Sequence, residues 1–412
     1  MTSTLHDQLS RLADEATPPA TAPGGRELWD RGVRYRRRLR VGTAAIASAG
    51  VAVLALVAGV TLQAAGPQPE PIPADAPAGI PSRIHTPSPW LPGTNDAGPP
   101  GQVVALLGAD RGAWTGTTYG LVAISAATGD YRFLDLPGWY ELEAPVLSPD
   151  GRHVAYWTTG TTTSTPNAEN GGNPAAGIAV YDTVTGDVVE HEFSTEHGLS
   201  PTGLGWRDSS HLQATHYQWI VGDDGSAEDL TTANDQTWWQ WEVKQPAPEP
   251  WPLGERLGVE IWGTPAEGRQ VVRDQAFRLW ILSDSAAPRK IGAAESLMYD
   301  GGTAISPDGT RIAGIWGNGQ SPNKVGVLSW PEGRVDAERL ERAGNSRAVH
   351  GWTDGEHVAV TRQAEPMREG GGLGVFEVDA ATGEVEQIVR LPDDWYSGVT
   401  WASDLLGSPV VD

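Results

Sequence analysis

Residues 127–150 read ATGDYRFLDLPGWYELEAPVLSPD and residues 381–404 read ATGEVEQIVRLPDDWYSGVTWASD. Allowing a one-residue gap after the proline, both hold Thr-Gly-acid, an alternating run, Leu-Pro, a Trp-Tyr pair, a short apolar run, then Ser and Asp. A theme that returns so far along a chain marks an array of like units, and the period of that array fixes what can fold.

Two hairpin signatures make up the array. LSPDGRHVAYW (147–157) and ISPDGTRIAGIW (305–316) set a Ser-Pro-Asp-Gly turn between a short apolar run and an alternating one. Pro presets φ, Asp bonds the backbone two residues on, and Gly accepts φ > 0. GWRDSSHLQAT (205–215) and GWTDGEHVAVT (351–361) are degenerate versions with Trp before the turn. The second signature is AISAATGDYRFL (123–134), AVYDTVTGDVVEHEF (179–193) and FEVDAATGEVEQIV (376–389): strand, tight turn ending in Gly, strand. The two alternate, so each unit is a four-stranded meander A-B-C-D, with units beginning near 145, 202, 257, 303 and 348. That spacing is the period of propeller blades carrying insertions.

Residues 101–136 supply GQVVALLGAD, GLVAIS and DYRFLDL, three strands of a further unit without its own strand A. YSGVTWASDLL (396–406) follows a completed strand D and stands where a strand A belongs. The expectation is therefore an all-β, six-bladed β-propeller over 101–412 in which the C-terminal strand closes blade one, removing exposed sheet edges. Gly (51), Pro (32) and Trp (18) suit many tight turns with large rings between sheets. The stretch 217–300 holds no SPDG, so the boundaries of blades three and four are the least defined.

Ahead of the array, RYRRRLR (34–40) precedes VGTAAIASAGVAVLALVAGVTL (41–62), an uncharged, proline-free stretch. As a helix it reaches about 33 Å, enough to span the hydrocarbon core. Arg31, Arg34, Arg36, Arg37, Arg38 and Arg40 stand before it and the first base after it is Arg83, which puts residues 1–40 in the cytoplasm and the body outside the cell. An uncleaved signal anchor is expected. The alternative is a cleaved signal peptide, against which stand the long arm and the poor cleavage site LQAAG (62–66). Residues 63–100, rich in Pro and Gly without periodicity, read as an extended spacer.

The net charge of −23 divides into +3 over residues 1–40, with eight Arg and five Asp or Glu, and −26 over the remainder. An acidic body of this size repels phosphate backbones, so nucleic acid is not an expected partner. Without cysteine there is no disulfide and no thiolate chemistry. No G-x-S-x-G occurs, and SPDG lacks the Ser-x-Asp-x-Gly spacing of sialidase repeats. In HEFSTEH (191–197) the histidines stand six apart at a strand end, not four apart on a helix, so no metal site is expected there. GDDGSAED (222–229) lacks the alternating acids of a calcium loop. Asp150, Asp208, Asp308 and Asp354 recur at equivalent turn positions, which makes them turn caps and not a catalytic ring. No cofactor is expected.

The SPDG-x-x-[IV]-A pattern at 148–155 and 306–313 resembles the WD40-like propeller repeat of the TolB family. The anchor, spacer and propeller layout resembles membrane-tethered propeller proteins of high-GC Gram-positive bacteria. Both resemblances imply a fold and almost nothing about activity.

The short connections (SPDG, TGD, TGE) fall on one propeller face and the long ones on the other: 109–120, 158–176, about 217–237, 316–324 and 362–372. The long-loop face is the expected interaction surface. On it, Trp139, Tyr140 and Glu141 in one D–A connection and Asp393, Asp394, Trp395 and Tyr396 in another become neighbours if the ring closes, forming an aromatic and acidic docking site. The competing reading of these rings is packing between blades. The expected function is a non-catalytic sensing or scaffold module for an envelope protein, peptide or glycan. The alternative is an extracellular lyase or hydrolase with its site at the channel mouth.

Overall fold

The computed structural model describes residues 79–411, except 114–115, 161–174, 196–197, 219–235, 258, 262–264, 267, 275–277, 284–286, 292–301, 317–323, 330–335, 345, 364–371 and 393–398. The arm 1–40 and the expected membrane segment 41–62 lie outside the described residues. Among the described residues no helix is long and apolar enough to cross a membrane.

The protein is almost entirely β. After β1 (Ile80–Pro81) and a one-turn helix α1 (Thr94–Ala97), the strands run as successive antiparallel meanders. The first holds β2 (Val103–Ala113), β3 (Gly116–Ser125) and β4 (Tyr131–Leu134). The second holds β5 (Val146–Leu147), β6 (His153–Thr159), β7 (Ala175–Asp182) and β8 (Val188–Glu192). The third holds β9 (Leu199–Trp206), β10 (His211–Gln218), β11 (Gln236–Glu242) and β12 (Glu249–Pro250). A helix α2 (Pro252–Leu257) leads into β13 (Val259–Ile261), β14 (Arg269–Asp274), β15 (Leu279–Ser283) and β16 (Arg289–Lys290). The fifth holds β17 (Thr303–Ile305), β18 (Arg311–Trp316), β19 (Lys324–Ser329) and β20 (Asp336–Gly344). The sixth holds β21 (Ser346–Trp352), β22 (His357–Gln363), β23 (Leu373–Asp379) and β24 (Val385–Arg390). A single bridge, Ala175 to Leu199, joins the second and third meanders into one eight-stranded sheet.

Strand β25 (Val399–Trp401) does not start a new sheet. It pairs antiparallel with β2, Ala105 opposite Trp401, Leu106 opposite Thr400 and Leu107 opposite Val399, and so supplies the first meander with its missing strand. The first strands of neighbouring units touch in turn: β25 with β5, β5 with β9, β9 with β13, and β17 with β21. β21 in turn meets the 3₁₀ turn Ser403–Leu405 that follows β25. This succession of four-stranded meanders is a β-propeller arrangement.

The turns follow from their residues. Asp150 Oδ1 accepts from the Ser148 hydroxyl at 2.6 Å and the Arg152 N–H at 3.1 Å, and Asp308 does the same for Ser306 and Thr310. Asp208 and Asp354 accept the N–H groups of Ser210, His211, Glu356 and His357. These four aspartates are turn caps, as their repetition indicates. Gly151 and Gly309 of the SPDG turns sit at φ 72° and 69°, and Gly129, Gly186 and Gly383 of the TG turns at 71°, 82° and 69°.

The core lies between sheets. Ala155, Ile178, Leu199, Leu212 and Trp241 fill the space between the second and third units; Trp238, Trp251 and Val272 that between the third and fourth. Val271, Ile281, Ile305 and Ile312 join the fourth to the fifth, and Ile315, Val327, Val349 and Val360 the fifth to the sixth. The largest cluster binds the first unit to both neighbours, with Leu106, Ile124, Tyr156, Ala359, Val389 and Trp401. Tryptophans before the degenerate turns act as cross-ties. Trp206 Nε1 donates to the Val146 carbonyl at 3.1 Å, and Trp352 Nε1 to that of Ala304 at 3.0 Å.

Two expectations are corrected. Residues 109–120, read as a long loop, continue the β2–β3 ladder from Ala109 opposite Gly120 to Ala113 opposite Gly116. The register holds through this stretch without a shift, so the hairpin is longer than its glycines imply. Residues 79–100, read as the end of an extended spacer, form a strap along the body. β1 pairs in parallel with β26 (Val410–Val411), and Ile84 N–H donates to the Arg390 carbonyl at 2.8 Å. Arg132 holds the far end by donating to the carbonyls of Ala97, Gly98 and Pro99. Ile80 and Ile84, almost fully buried, supply the apolar anchor.

Candidate functional site

The D–A connection between β4 and β5 carries three of the sequence-derived site residues. It is stitched to the end of β6: Tyr140 N–H donates to the Trp157 carbonyl at 2.8 Å, and Thr159 N–H to that of Gly138 at 2.7 Å. Gly138 at φ 64° lets the chain turn there. Trp139 bridges to Thr158, is partly buried against the largest core cluster, and closes its own turn by donating from Nε1 to the Glu143 carbonyl at 3.1 Å. Tyr140 packs on the cluster between the second and third units, while Glu141 and Leu142 stand exposed. Desolvation raises the Tyr140 phenol, helped by the charge of Glu143, and desolvation pushes the Glu143 carboxyl above the usual range.

Trp139 and Tyr140 thus do packing work as well as facing outward, and Glu141 is the member turned wholly to solvent. Asp393, Asp394, Trp395 and Tyr396 lie outside the described residues. The flanking strands are placed: β24 ends at Arg390, and β25, which begins at Val399, touches β5. Of the other long connections, 161–174, 219–235, 317–323 and 364–371 also lie outside the described residues.

Sequence reasoning missed an aromatic group beside Trp139. Tyr119 of β3 lies with its ring 6.0 Å from that of Trp139, tilted by 41°. Trp90 of the strap crosses Gly112 in β2, where a Cβ would come within 2.9 Å of the indole. The signal was present only as two glycines, Gly108 and Gly112, spaced so that rings can lie on one strand face.

Two histidines set into the sheets were also missed, His216 buried and His350 half-buried. His216 of β10 accepts from Trp239 Nε1 at 3.0 Å through Nε2, and burial pushes its pKa down to about 4. Since indole N–H only donates, Nε2 is unprotonated and the ring proton sits on Nδ1. His350 of β21 contacts the Thr361 hydroxyl through Nε2 at 2.6 Å and lies near the Trp401 ring, and burial lowers it to about 4 as well. Neutral imidazoles in these places tie strands together and carry no acid–base geometry. The exposed pairs Asp208–His211 and Asp354–His357, at 2.8 and 2.9 Å, each sit inside one capped turn. Among the described residues no group of three or more His, Asp or Glu side chains is gathered as a metal would need.

No protein-family model and no curated protein matches the sequence. Solved structures do resemble it. TolB from Acinetobacter baumannii superposes over 74% of this chain and 69% of its own, at 15% identity and TM-score 0.39. The β-propeller domain of the Trilobed protease from Pyrococcus furiosus covers 75% and 94%, at 16% and 0.43. The Pyrococcus horikoshii acylaminoacyl peptidase covers 70% of this chain, which spans 46% of that enzyme, at 17% and 0.40. Similarity at this level carries nothing about activity, and the fold rests on the strand pairing itself.

Proposed function

We propose that the chain is a membrane-tethered binding module: a cytoplasmic arm (1–40), a transmembrane signal anchor (41–62), a tether, and an extracytoplasmic six-bladed propeller that engages an envelope partner without catalysis. Support for a closed ring of six comes from the return of β25 to β2 and from core clusters between every pair of consecutive units, sixth and first included. Support for the anchor comes from the uncharged segment 41–62 behind its arginine cluster.

The observation that carries the binding reading is an aromatic, acidic turn fixed to the rigid end of β6, with Glu141 and Leu142 turned to solvent. Binding groups concentrate on connections held by such scaffolds. The test is capture of envelope proteins by the full-length chain, compared with a Trp139→Ala, Trp395→Ala double variant. Loss of the captured partner with a melting temperature within a few degrees of wild type supports the reading. Unchanged capture, or loss only in step with a large fall in melting temperature, assigns these rings to packing.

A further inference from the structure

The distal part of the β2–β3 hairpin presents one face that the core does not use. Gly108, Asp110 and Gly112 share that face by strand alternation, and Tyr119 joins them as the cross-strand partner of Asp110. Both glycines are overlain by rings. A Cβ on Gly108 would collide with the Tyr119 phenol, and one on Gly112 would press on the Trp90 indole. The rings therefore lie on the ladder about 13 Å apart along the strand, with Asp110 between them. Their outer sides face solvent: Trp90 is 69% exposed and Tyr119 51%. The surface continues through Trp139, next to Tyr119, to Leu142, which is 68% exposed at the tip of the same turn. Three exposed large apolar side chains, joined through the half-buried Trp139, lie on one stretch of surface and mark an interaction site.

The charge around the rings selects the occupant. Asp110 stands opposite Tyr119 on the hairpin, and Glu141 and Glu143 flank Leu142 in the turn of Trp139; all three are exposed. The hairpin's own base, Arg111, points to the opposite face, where it pairs with Asp135 at 2.5 Å and covers the Phe133 ring. Indole and phenol faces attract cations through the ring quadrupole, and carboxylates alongside add to that attraction. A flat sugar chain needs coplanar rings, whereas Tyr119 and Trp139 are inclined by 41°.

We propose that the surface formed by Trp90, Tyr119, Trp139 and Leu142, bordered by Asp110, Glu141 and Glu143, binds an arginine- or lysine-rich peptide segment of a partner protein. This rests on the binding-module reading and adds the partner's chemistry to it. The guanidinium or ammonium groups lie over the indole and phenol faces, and their stems cover Leu142.

The test uses the full-length protein and a fluorescent peptide of alternating Arg and Gly, read by anisotropy, beside the same peptide with Gln for Arg. The Arg peptide is expected to bind and the Gln peptide not to. A Trp90→Ala, Tyr119→Ala double variant keeps the net charge and removes only exposed rings, so it should melt like wild type and bind about tenfold more weakly. Asp110→Asn, Glu141→Gln, Glu143→Gln keeps the rings and should lose affinity and weaken its salt dependence. Equal binding by the ring variant overturns the proposal, since the acidic body alone would then account for attraction. Displacement of the Arg peptide by a neutral β-linked oligosaccharide overturns it in favour of a glycan site. If an envelope partner is still captured by the ring variant, the binding-module reading survives and this assignment falls.

Discussion

Gly129 and Gly151 take nearly the same left-handed backbone, at φ 71° and 72°, yet they do different work. A Cβ on Gly129 meets nothing, whereas one on Gly151 collides with the Val103 carbonyl. Gly151 also accepts from Val103 N–H at 2.8 Å and the Thr183 hydroxyl at 3.0 Å, so it cannot move without breaking the tie between the first and second units. Gly129→Ala should cost about 1 kcal/mol, the price of the left-handed conformation, and Gly151→Ala roughly 3 kcal/mol. Urea-unfolding midpoints at unchanged slope will check both. The turn chemistry was legible in SPDG and TG because it is local, involving an aspartate and the two or three N–H groups after it. The collision at Gly151 was not, since its partner lies in another unit. His216 shows the same limit: its burial comes from Trp157, Phe193 and Trp239, which no window around residue 216 reveals. Its lowered pKa means that the folded state binds fewer protons than the unfolded state between about pH 6.5 and 4. Stability should therefore be full above that window, fall as pH drops through it, and level off below about 4, a loss of ~3 kcal/mol from this residue. His216→Gln, which keeps an acceptor for Trp239, should flatten the fall in melting temperature between pH 7.5 and 4.5, leaving the share due to His350.

At the scale of elements, the pairing of β25 with β2 is where sequence and structure meet most directly. A missing first strand and a surplus last one could be read together, because a strand order is a matter of counting. The fourth meander was harder. It has no SPDG; its aspartate, Asp274, instead ends β14 and takes Arg278 N–H, the Arg278 guanidinium and Trp280 Nε1 at 2.7–2.9 Å. The clamp that organises this unit thus sits at the B–C end, where the repeat pattern predicts only a variable loop. The β2–β3 extension escaped for a related reason: glycines there accommodate rings and do not turn the chain. The β25–β2 register gives a sharp check in a protein without cysteine. Leu106→Cys with Thr400→Cys places thiols at directly opposed positions. Oxidation should join them quantitatively and raise stability by about 3 kcal/mol over the reduced form of the same variant, read from paired melts. Persistent free thiols under oxidising conditions would show that the strand does not occupy that register.

For the molecule as a whole, the sequence placed the start of the body at 101, whereas residues ahead of it already bond to the body: Gly79 N–H donates to the Ala126 carbonyl at 2.9 Å. Pro and Gly dominate 79–100 in both readings. A strap that pairs through isolated bridges and carbonyls needs few N–H donors, so Pro81, Pro87, Pro89 and Pro92 are tolerated and leave no strand-like pattern to read. The strap has an energetic role that composition conceals. Ile80 and Ile84 are buried, β1 holds β26, Arg83 bridges to Arg390 of the sixth unit and Arg132 of the first unit grips 97–99. It therefore spans the sixth and first units, beside the seam where β25 meets β2 by strand pairing and not by consecutive chain. A chain beginning at Gly79 keeps the whole strap. One beginning at Gly101 forfeits about 3–6 kcal/mol from the two isoleucines alone, and the loss should fall first on the junction. Hydrogen exchange should accordingly quicken in β25 and β2 of the shorter chain while β10 and β18 keep their protection; uniform loss across all units would instead mean that the strap stabilises no junction in particular.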